Sequence, residues 1–165
     1  MLRLPLAHVF LLPVLLLQAA PPKLDALFPA GGKRGETLKV KAIGTFKSWP
    51  PRIWTDHPGL SIEANETKGS LSIVIDPQAK MRPALVRLFD ANGSSAAKTF
   101  VISKHKETNE IESNNHRKRA QELNVTRREI VVNGILKKED SDFFRINLRK
   151  GQILTARTDA YSLGS

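Results

Sequence analysis

Oxygen-bearing side chains are concentrated in two short clusters in the second half of the chain. The first is Glu110-x-Glu112-x-Asn114-Asn115, and the second is Glu139-Asp140-Ser141-Asp142. Such carboxylate and amide oxygens are ligands for hard cations, which loops can supply. The Asp-x-Asp-x-Asp-Gly spacing of an EF-hand loop is absent from the sequence. The clusters are therefore candidate cation ligands, and a solvated acidic linker followed by an acid-rich turn is the alternative interpretation.

Motifs that would indicate an enzyme are missing from the sequence. It contains no HExxH motif and no Gly-x-Ser-x-Gly nucleophile turn. Asp56 and His57 are adjacent, but neighbouring residues of a strand point to opposite faces, so a catalytic pair is not supported. We interpret His57, which stands beside Pro58-Gly59, as a turn residue. The chain is therefore predicted to be non-catalytic.

The first 20 residues have the pattern of an export signal. A basic residue near the start precedes an apolar run over residues 4–17, and Ala19-Ala20 provides a small-residue end. The apolar run is shorter than the ~20 residues that span a bilayer, and two prolines interrupt it. We therefore expect a secreted, periplasmic or cell-surface protein whose mature chain has no membrane span.

The chain is strongly basic and lacks cysteine. It contains 26 Lys and Arg against 16 Asp and Glu, which gives a formal net charge of +10. A secreted chain without disulfides must rely on its core or on a metal for stability. The positive charge favours anionic surfaces such as cell-wall polymers or polysaccharides, with ordinary solvated surface charge as the alternative. Export argues against a nucleic-acid partner.

Alternating apolar and polar residues predict a first domain over residues 21–103 that is all-β. The predicted strands are Thr37 to Ile43, Arg52 to Trp54, Leu60 to Ile62, Ser70 to Ile75, Ala84 to Phe89 and Lys98 to Ile102. Turn residues rich in Gly, Pro and Asn separate them. About six short strands at this spacing predict an immunoglobulin-like β-sandwich. Both tryptophans, Trp49 and Trp54, are expected in core or edge packing.

The second part of the chain is predicted to be a linker followed by an incomplete domain. Residues 104–115 are polar without an apolar period, which is typical of an interdomain linker. A short helix from Arg117 to Leu123 follows, capped by Asn114 or Asn115. Then come strands over residues 129–133, 142–148 and 152–158. Three strands are too few to close a sandwich. We therefore expect residues 116–165 to be the truncated start of a second domain, in a fragment of a longer protein.

Five motifs follow one another in order from residue 110 onward. They are Glu112-Ser-Asn114-Asn115, Ala120-Gln-x-Leu123, Val132-Asn133-Gly134-x-Leu136, Asp140-Ser-Asp142-Phe143-Phe144-Arg145-Ile146 and Lys150-Gly151-Gln152. Their order and spacing resemble the bacterial pre-peptidase C-terminal domain, whose relatives include the collagen-binding domains of clostridial collagenases. The phrase Phe28-Pro29-Ala-Gly31-Gly32-x-Arg34-Gly35 is similar to immunoglobulin-like regions that precede such domains in large secreted planctomycete proteins. The resemblance implies a jelly-roll-like β-sandwich for the second domain.

The resemblance also implies a calcium site. Its ligands, carried over to this sequence, are Glu110, Glu112, Asn114, Asn115, Glu139 and Asp142. Ser113 stands where the family often has Pro, and Glu139 where the relatives have Asp, so that Asp140 is a substitute ligand. Calcium bound there is expected to order the linker and to stabilise a chain that has no cysteine.

These expectations combine into one predicted function. We expect a non-catalytic secreted β-sandwich module that binds an extracellular polymer or protein, or that assists the secretion or folding of an attached domain. Two alternatives stay open. One is an accessory region of a secreted peptidase whose catalytic domain lies outside this chain, and the other is a structural cell-surface protein built from repeated sandwiches.

Overall fold

The computed structural model describes residues 20–125 and 129–160, and over these ranges the chain is all-β, as predicted. The only helix in these ranges is a 3-10 helix at Arg117–Arg119. No helix of the described residues has the length and apolar character needed to cross a membrane. The predicted export signal lies outside the described residues, apart from Ala20, and so do the last five residues of the predicted second domain.

Nine strands form residues 20–103, the described part of the chain that precedes residue 104. They are β1 (Lys23–Phe28), β2 (Gly31–Lys33), β3 (Thr37–Thr45), β4 (Arg52–Thr55), β5 (Leu60–Ala64), β6 (Ser70–Ile75), β7 (Pro83–Asp90), β8 (Gly93–Ser94) and β9 (Lys98–Ser103). The six predicted strands are confirmed as β3 to β7 and β9. Strand β1 escaped prediction because a bulge between Leu24 and Ala26 interrupts its alternation. Strand β2 escaped because two of its three residues are glycine.

Two sheets face each other and make this part of the chain a β-sandwich. One sheet has the antiparallel order β1-β3-β6-β5, and the other has the order β2-β9-β7-β4, with β8 paired to β7. Since side chains alternate between the two faces of a strand, every second residue points into the space between the sheets. These inward residues form one hydrophobic core that includes Val40, Leu71, Ile73, Val86, Leu88 and Phe100. Fully burying one such side chain contributes about 1.5–3 kcal/mol.

Buried His57 fixes the turn between β4 and β5. Its ring is almost fully enclosed, with 2% of the residue exposed. The N–H of Gly59 donates to Nδ1 at 3.1 Å. Because Nδ1 accepts this bond, the ring proton lies on Nε2, which donates to the carbonyl oxygen of Lys80 at 3.0 Å. The interpretation of His57 as a turn residue is confirmed.

The two tryptophans occupy different environments. Trp49 packs against the core, and its indole N–H donates to the carbonyl oxygen of Asn65 at 2.6 Å. Trp54 lies on β4, an edge strand of its sheet, with 46% of its surface exposed. Trp49 therefore packs against the core and Trp54 lies at a sheet edge, as predicted.

Four short strands and the 3-10 helix organise the described residues 104–125 and 129–160. The strands are β10 (Glu107–Asn109), β11 (Gln121–Glu122), β12 (Val131–Asn133) and β13 (Phe144–Arg145). Strand β10 pairs in parallel with β12, and β11 pairs in parallel with β13. The predicted linker of residues 104–115 therefore contains a strand that is fixed to residues more than 20 positions further along the chain.

The predicted helix from Arg117 to Leu123 is wrong beyond its first turn. The 3-10 helix ends at Arg119, Ala120 is extended with ψ 128°, and β11 begins at Gln121. The cap is His116, rather than the predicted Asn114 or Asn115, and its ring accepts from the N–H of Lys118. Three consecutive cations and no apolar stripe give a longer helix no buried face, whereas the N–H of Gln121 gains the carbonyl oxygen of Phe143 as a partner.

Two further strand predictions fail in this part of the chain. The strand expected over residues 142–148 is reduced to Phe144–Arg145, and residues 152–158 form no strand. Alternation predicts which face a residue occupies, but a strand also needs a neighbour, and in the described ranges no strand lies beside residues 152–158. Phe143 and Phe144 are both exposed, which agrees with the absence of a longer buried strand at this position.

Candidate metal site

The two acidic clusters of the sequence come together in the described structure. We call residues 110–115 the connecting segment and residues 137–142 the acidic turn. The β10–β12 ladder places Asn109 opposite Asn133, so the connecting segment leaves the ladder beside the chain that leads to the acidic turn. Past the cluster, the N–H of Phe143 donates to the carbonyl oxygen of Asn114 at 3.1 Å. The site is therefore held on both sides by main-chain hydrogen bonds.

Three carboxylates meet at the centre of the site. Glu112, Asp140 and Asp142 each offer an oxygen, and these oxygens all lie within 4.8 Å of one another. Burial raises the pKa of Asp142 above its ordinary value, and the negative charges of Asp140 and Glu112 raise it further. Negative charges held this close repel one another, so the arrangement favours a bound cation.

A lysine beside the three carboxylates offsets part of their negative charge. The ammonium group of Lys137 lies 3.2 Å from Oε1 of Glu112. Hydrogen bonding to Glu112 and the charge of that carboxylate raise the pKa of Lys137. The Lys137 side chain is well exposed, so this pair contributes little stability by itself. One exposed ammonium does not balance three converging carboxylates.

Buried polar atoms without partners lie in the same two segments. Asn114 is fully buried, and neither its amide nitrogen nor its carbonyl oxygen has a hydrogen-bond partner in the described structure. One carboxylate oxygen of Glu110 and one of Asp142 are buried and unpartnered as well. Leaving such a group unsatisfied costs about 1–3 kcal/mol. Unpartnered carboxylate and amide oxygens are donors of the kind that a hard cation takes. The group of converging carboxylates itself comprises Glu112, Asp140 and Asp142, without Glu110.

Glu110 is oriented by the chain opposite it. Its Oε1 accepts from the N–H of Ile135 at 2.6 Å, which leaves Oε2 as the unpartnered oxygen. A Cβ atom added to Gly134 would lie 2.5 Å from that Oε2. Glycine at this position therefore leaves the space that the Glu110 carboxylate occupies.

The remaining two predicted ligands lie around the cluster in different ways. The side-chain amide of Asn115 donates to Oδ1 of Asp140 and so orients that carboxylate. Glu139 points to solvent, with 85% of its side chain exposed, and its nearest charged neighbour is Lys138 at 3.9 Å. The carboxylate beside Glu112 and Asp142 is that of Asp140, which the sequence suggested as a substitute ligand.

Sequence reasoning overlooked Lys137. The signal available was its position three residues before Asp140, the spacing at which a tight turn brings two residues together. The N–H of Asp140 does donate to the carbonyl oxygen of Lys137 at 3.2 Å. Only the fold shows that the side chain then reaches back to Glu112, which is 25 residues earlier.

The donor set fits calcium better than a transition metal. The candidate ligands are all oxygens, from the carboxylates of Glu110, Glu112, Asp140 and Asp142 and the amide of Asn114. Calcium takes about 6–8 oxygens in flexible geometry, whereas zinc sites are built mainly from His and Cys. Main-chain carbonyls and water complete such a shell in many proteins. The residues present are therefore compatible with calcium.

Comparison with known proteins assigns no family to the chain. No protein-family model matches it, and neither a characterised protein nor a solved structure matches it. The likeness to pre-peptidase C-terminal domains thus rests on the motifs of the sequence itself.

Asp56 and His57, the acid–histidine pair of the sequence, do not act on each other. The Asp56 carboxylate accepts from the N–H of Leu85 at 2.7 Å and pairs with the guanidinium of Arg82 at 2.9 Å. The Leu85 N–H and the Arg82 cation together hold the pKa of Asp56 below its usual range. Since both ring nitrogens of His57 are engaged by main-chain groups, each residue serves a separate structural purpose.

Proposed function

We propose that this chain is a non-catalytic, exported β-sandwich module that binds an extracellular partner and holds a calcium ion where its second part begins. Calcium would be bound by Glu110, Glu112, Asn114, Asp140 and Asp142. The proposal includes an immunoglobulin-like order for the first sandwich and a jelly-roll-like relationship for residues 116–165, as the sequence resemblance implies.

One observation carries the metal part of the proposal. Fully buried Asn114 has no partner for its amide, and it belongs to the same connecting segment as Glu112, whose carboxylate converges with those of Asp140 and Asp142. A solvated acidic linker would keep its polar groups in water, where each finds a partner. A calcium ion would give the buried oxygens a partner and offset the repulsion among the carboxylates.

Calcium at this place would support the second part of the chain mechanically. Residues 104–160 contribute a single side chain, Leu123, to the buried hydrophobic residues described. Their four strands have two or three residues each. A metal that joins the connecting segment to the acidic turn adds its binding free energy to the folded state alone. The cation would thus replace part of the core that this region lacks.

Isothermal calorimetry on the full chain tests the proposal directly. After removal of metal with a chelator, calcium chloride should bind with a stoichiometry of about one. Magnesium chloride should bind more weakly, because magnesium demands a tighter octahedral shell and keeps its own water. The variant Asp142→Asn should lose calcium binding, while Glu139→Gln should retain it. Equal calcium binding by native protein and Asp142→Asn would overturn the site.

A further inference from the structure

The outer face of the sheet β2-β9-β7-β4 carries an aromatic ring between two arginines. Ile53 packs on the core, so its neighbours Arg52 and Trp54 point outward. In the β4–β7 ladder Trp54 lies opposite Arg87, and Arg52 lies opposite Phe89, with its guanidinium carbon 5.0 Å from the centre of the Phe89 ring. The exposed indole is therefore flanked by two cations.

Apolar surface continues from this ring along the sheet. Leu85 lies two residues before Arg87 on the same face of β7 and is itself 41% exposed. Its partner across the ladder is Thr99 of β9. These outward residues lie on three neighbouring strands, with Trp54 on the edge strand β4.

Arginines are the charged residues at the outward strand positions of this face. The outward positions of β4, β7 and β9 include Arg52 and Arg87 but no acidic residue. The acid beside the face is Asp56, one residue beyond β4, and its carboxylate pairs with Arg82 rather than with Arg52 or Arg87. Arg87 uses one nitrogen to donate to the carbonyl oxygen of Ser95, which leaves other N–H groups of its guanidinium for a ligand. The face is therefore complementary to an anion.

The opposite sheet has a different outer face. Its outward positions on β3 and β6 are mostly Lys, Ser and Thr, and Glu63 projects outward from β5. Val74 is its exposed apolar residue, with 47% of its surface accessible. The two outer faces of the sandwich thus differ in character, and the sheet with Trp54 combines an exposed aromatic ring with Arg52 and Arg87.

We propose that this face, made by Arg52, Trp54, Leu85 and Arg87, binds an extended polysaccharide that carries carboxylate or sulfate groups. The indole would pack against the C–H face of a sugar ring, as aromatic side chains do with apolar surfaces. The guanidinium groups would pair with the anionic substituents in two-point contacts. Outward residues on three neighbouring strands offer such a chain a continuous face. The inference rests on the proposed exported binding module and names its binding surface and class of ligand.

Affinity electrophoresis and calorimetry of the full chain test the surface. The probes are polygalacturonate for carboxylates, dextran sulfate for sulfates, and neutral dextran as the uncharged counterpart. We expect the native protein to bind at least one charged polymer and not dextran. Trp54→Ala should weaken that binding about tenfold, and Trp54→Phe should restore part of it, because a smaller ring retains a stacking face.

Matched variants on the opposite sheet separate this surface from general basic charge. Val74→Ala removes an exposed apolar residue of similar accessibility, and Lys39→Gln with Lys41→Gln removes two cations. Both should leave binding unchanged, whereas Arg52→Gln with Arg87→Gln should weaken it even if Trp54→Ala does not fold. The proposal would be overturned if neither charged polymer bound. It would also be overturned if the variants on the two sheets weakened binding equally. If the true ligand were an acidic protein, neither charged polymer would bind.

Failure here and failure of the calcium site give different results. The calcium titration is measured on the same preparation and concerns residues 110–142 alone. Intact calcium binding without polysaccharide binding overturns this surface and leaves the metal site standing. Polysaccharide binding without calcium binding overturns the metal site and leaves this surface standing.

Discussion

The main-chain N–H of Phe143 donates to the carbonyl oxygen of Asn114 at 3.1 Å, and this bond joins the connecting segment to the end of the acidic turn. The side chain of the same Asn114 is fully buried and has no partner among the residues that the structure describes. Main-chain bonding therefore fixes Asn114 to the residue that follows the acidic turn. A bound cation would offset the repulsion among the carboxylates of Glu112, Asp140 and Asp142.

Calcium should raise the thermal stability of the native protein. At a free concentration about a hundred times the dissociation constant, binding to the folded state alone adds about 2.7 kcal/mol. Differential scanning calorimetry with calcium and with a chelator measures the shift. Glu139→Gln is the control, because that exposed side chain lies outside the group formed by Glu112, Asp140 and Asp142. Identical melting with and without calcium would remove the metal from the proposal.

Asp142→Asn should stabilise the metal-free protein while removing its response to calcium. The pKa of Asp142 is raised above its ordinary value of 3.8, by burial first and then by Asp140 and Glu112. The ionised carboxylate therefore opposes folding at neutral pH, and without metal the native protein should gain stability as pH falls through that raised pKa. Urea unfolding of both proteins in chelator, at pH 7 and at acid pH, measures the difference. A metal-free variant less stable than the native protein at pH 7 contradicts the expectation.

Asn114→Leu should separate ligand function from packing. Leucine has a similar volume and removes both unpartnered polar atoms, so the metal-free protein should be as stable as the native one or up to about 2 kcal/mol more stable. Calcium affinity should fall, because an oxygen ligand is lost. Chemical unfolding and calorimetry give the two quantities. A large loss of stability in chelator would indicate that Asn114 makes a structural bond rather than a metal bond.

Gly134→Ala should weaken calcium binding through Glu110. The added Cβ would lie 2.5 Å from Oε2 of Glu110, and the carboxylate would have to move away from the N–H of Ile135. We expect a loss of about tenfold in affinity, since one hydrogen-bonded ligand is displaced. The Glu110→Gln variant gives the comparison, and combining the two changes should add little. Unchanged affinity in Gly134→Ala would exclude Glu110 from the shell.

His57→Ala should destabilise the sandwich by about 2–4 kcal/mol, because it empties a buried position and leaves the Gly59 N–H and the Lys80 carbonyl without partners. Unfolding in urea measures the loss. Gln78→Ala is the control in the same region, since its side chain is exposed. Calcium affinity should stay unchanged in both variants, and a drop confined to His57→Ala would contradict the structural interpretation of His57.

Asp56→Asn should lower stability at neutral pH and lose its effect in acid. The pKa of Asp56 is held below 3.8 by the N–H of Leu85 and by Arg82. Such a carboxylate stabilises the fold above its unfolded pKa, and that contribution is lost as pH falls through the folded pKa. The difference between native and variant should be about 1 kcal/mol at pH 7 and should shrink below pH 3.8. A difference that stays constant with pH would exclude the charge as its source.

The fold of the first part was predictable because its signal is local. Strands such as β6, with Leu71, Ile73 and Ile75 buried in alternation, show their period within six residues. Such a strand then needs only a neighbouring strand of the same period to complete its main-chain hydrogen bonds. Predictions in the second part failed where local pattern met no such neighbour, as over residues 152–158, or where a distant one intervened, as Phe143 does for Gln121.

The sequence predicted the kind of ligand atom at the candidate site, but not which residues supply it. The two clusters indicate oxygen ligands because acids and amides are hard donors, whatever the fold. Choosing between Asp140 and Glu139 required the backbone, since Glu139 adopts a positive φ of 61° and directs its side chain to solvent. The burial of Asn114 could not be deduced from its polar neighbours.

The sequence by itself determined the all-β class, the strands of the first sandwich and the two oxygen-rich segments, because residue type and spacing act over a few neighbours. Tertiary structure alone decided that these segments meet, since their contacts join residues such as Asn115 and Asp140, which are 25 positions apart. It also decided that Trp54 stays exposed between two arginines rather than entering the core. Contacts over such distances depend on which strands pair, and pairing is a property of the whole chain.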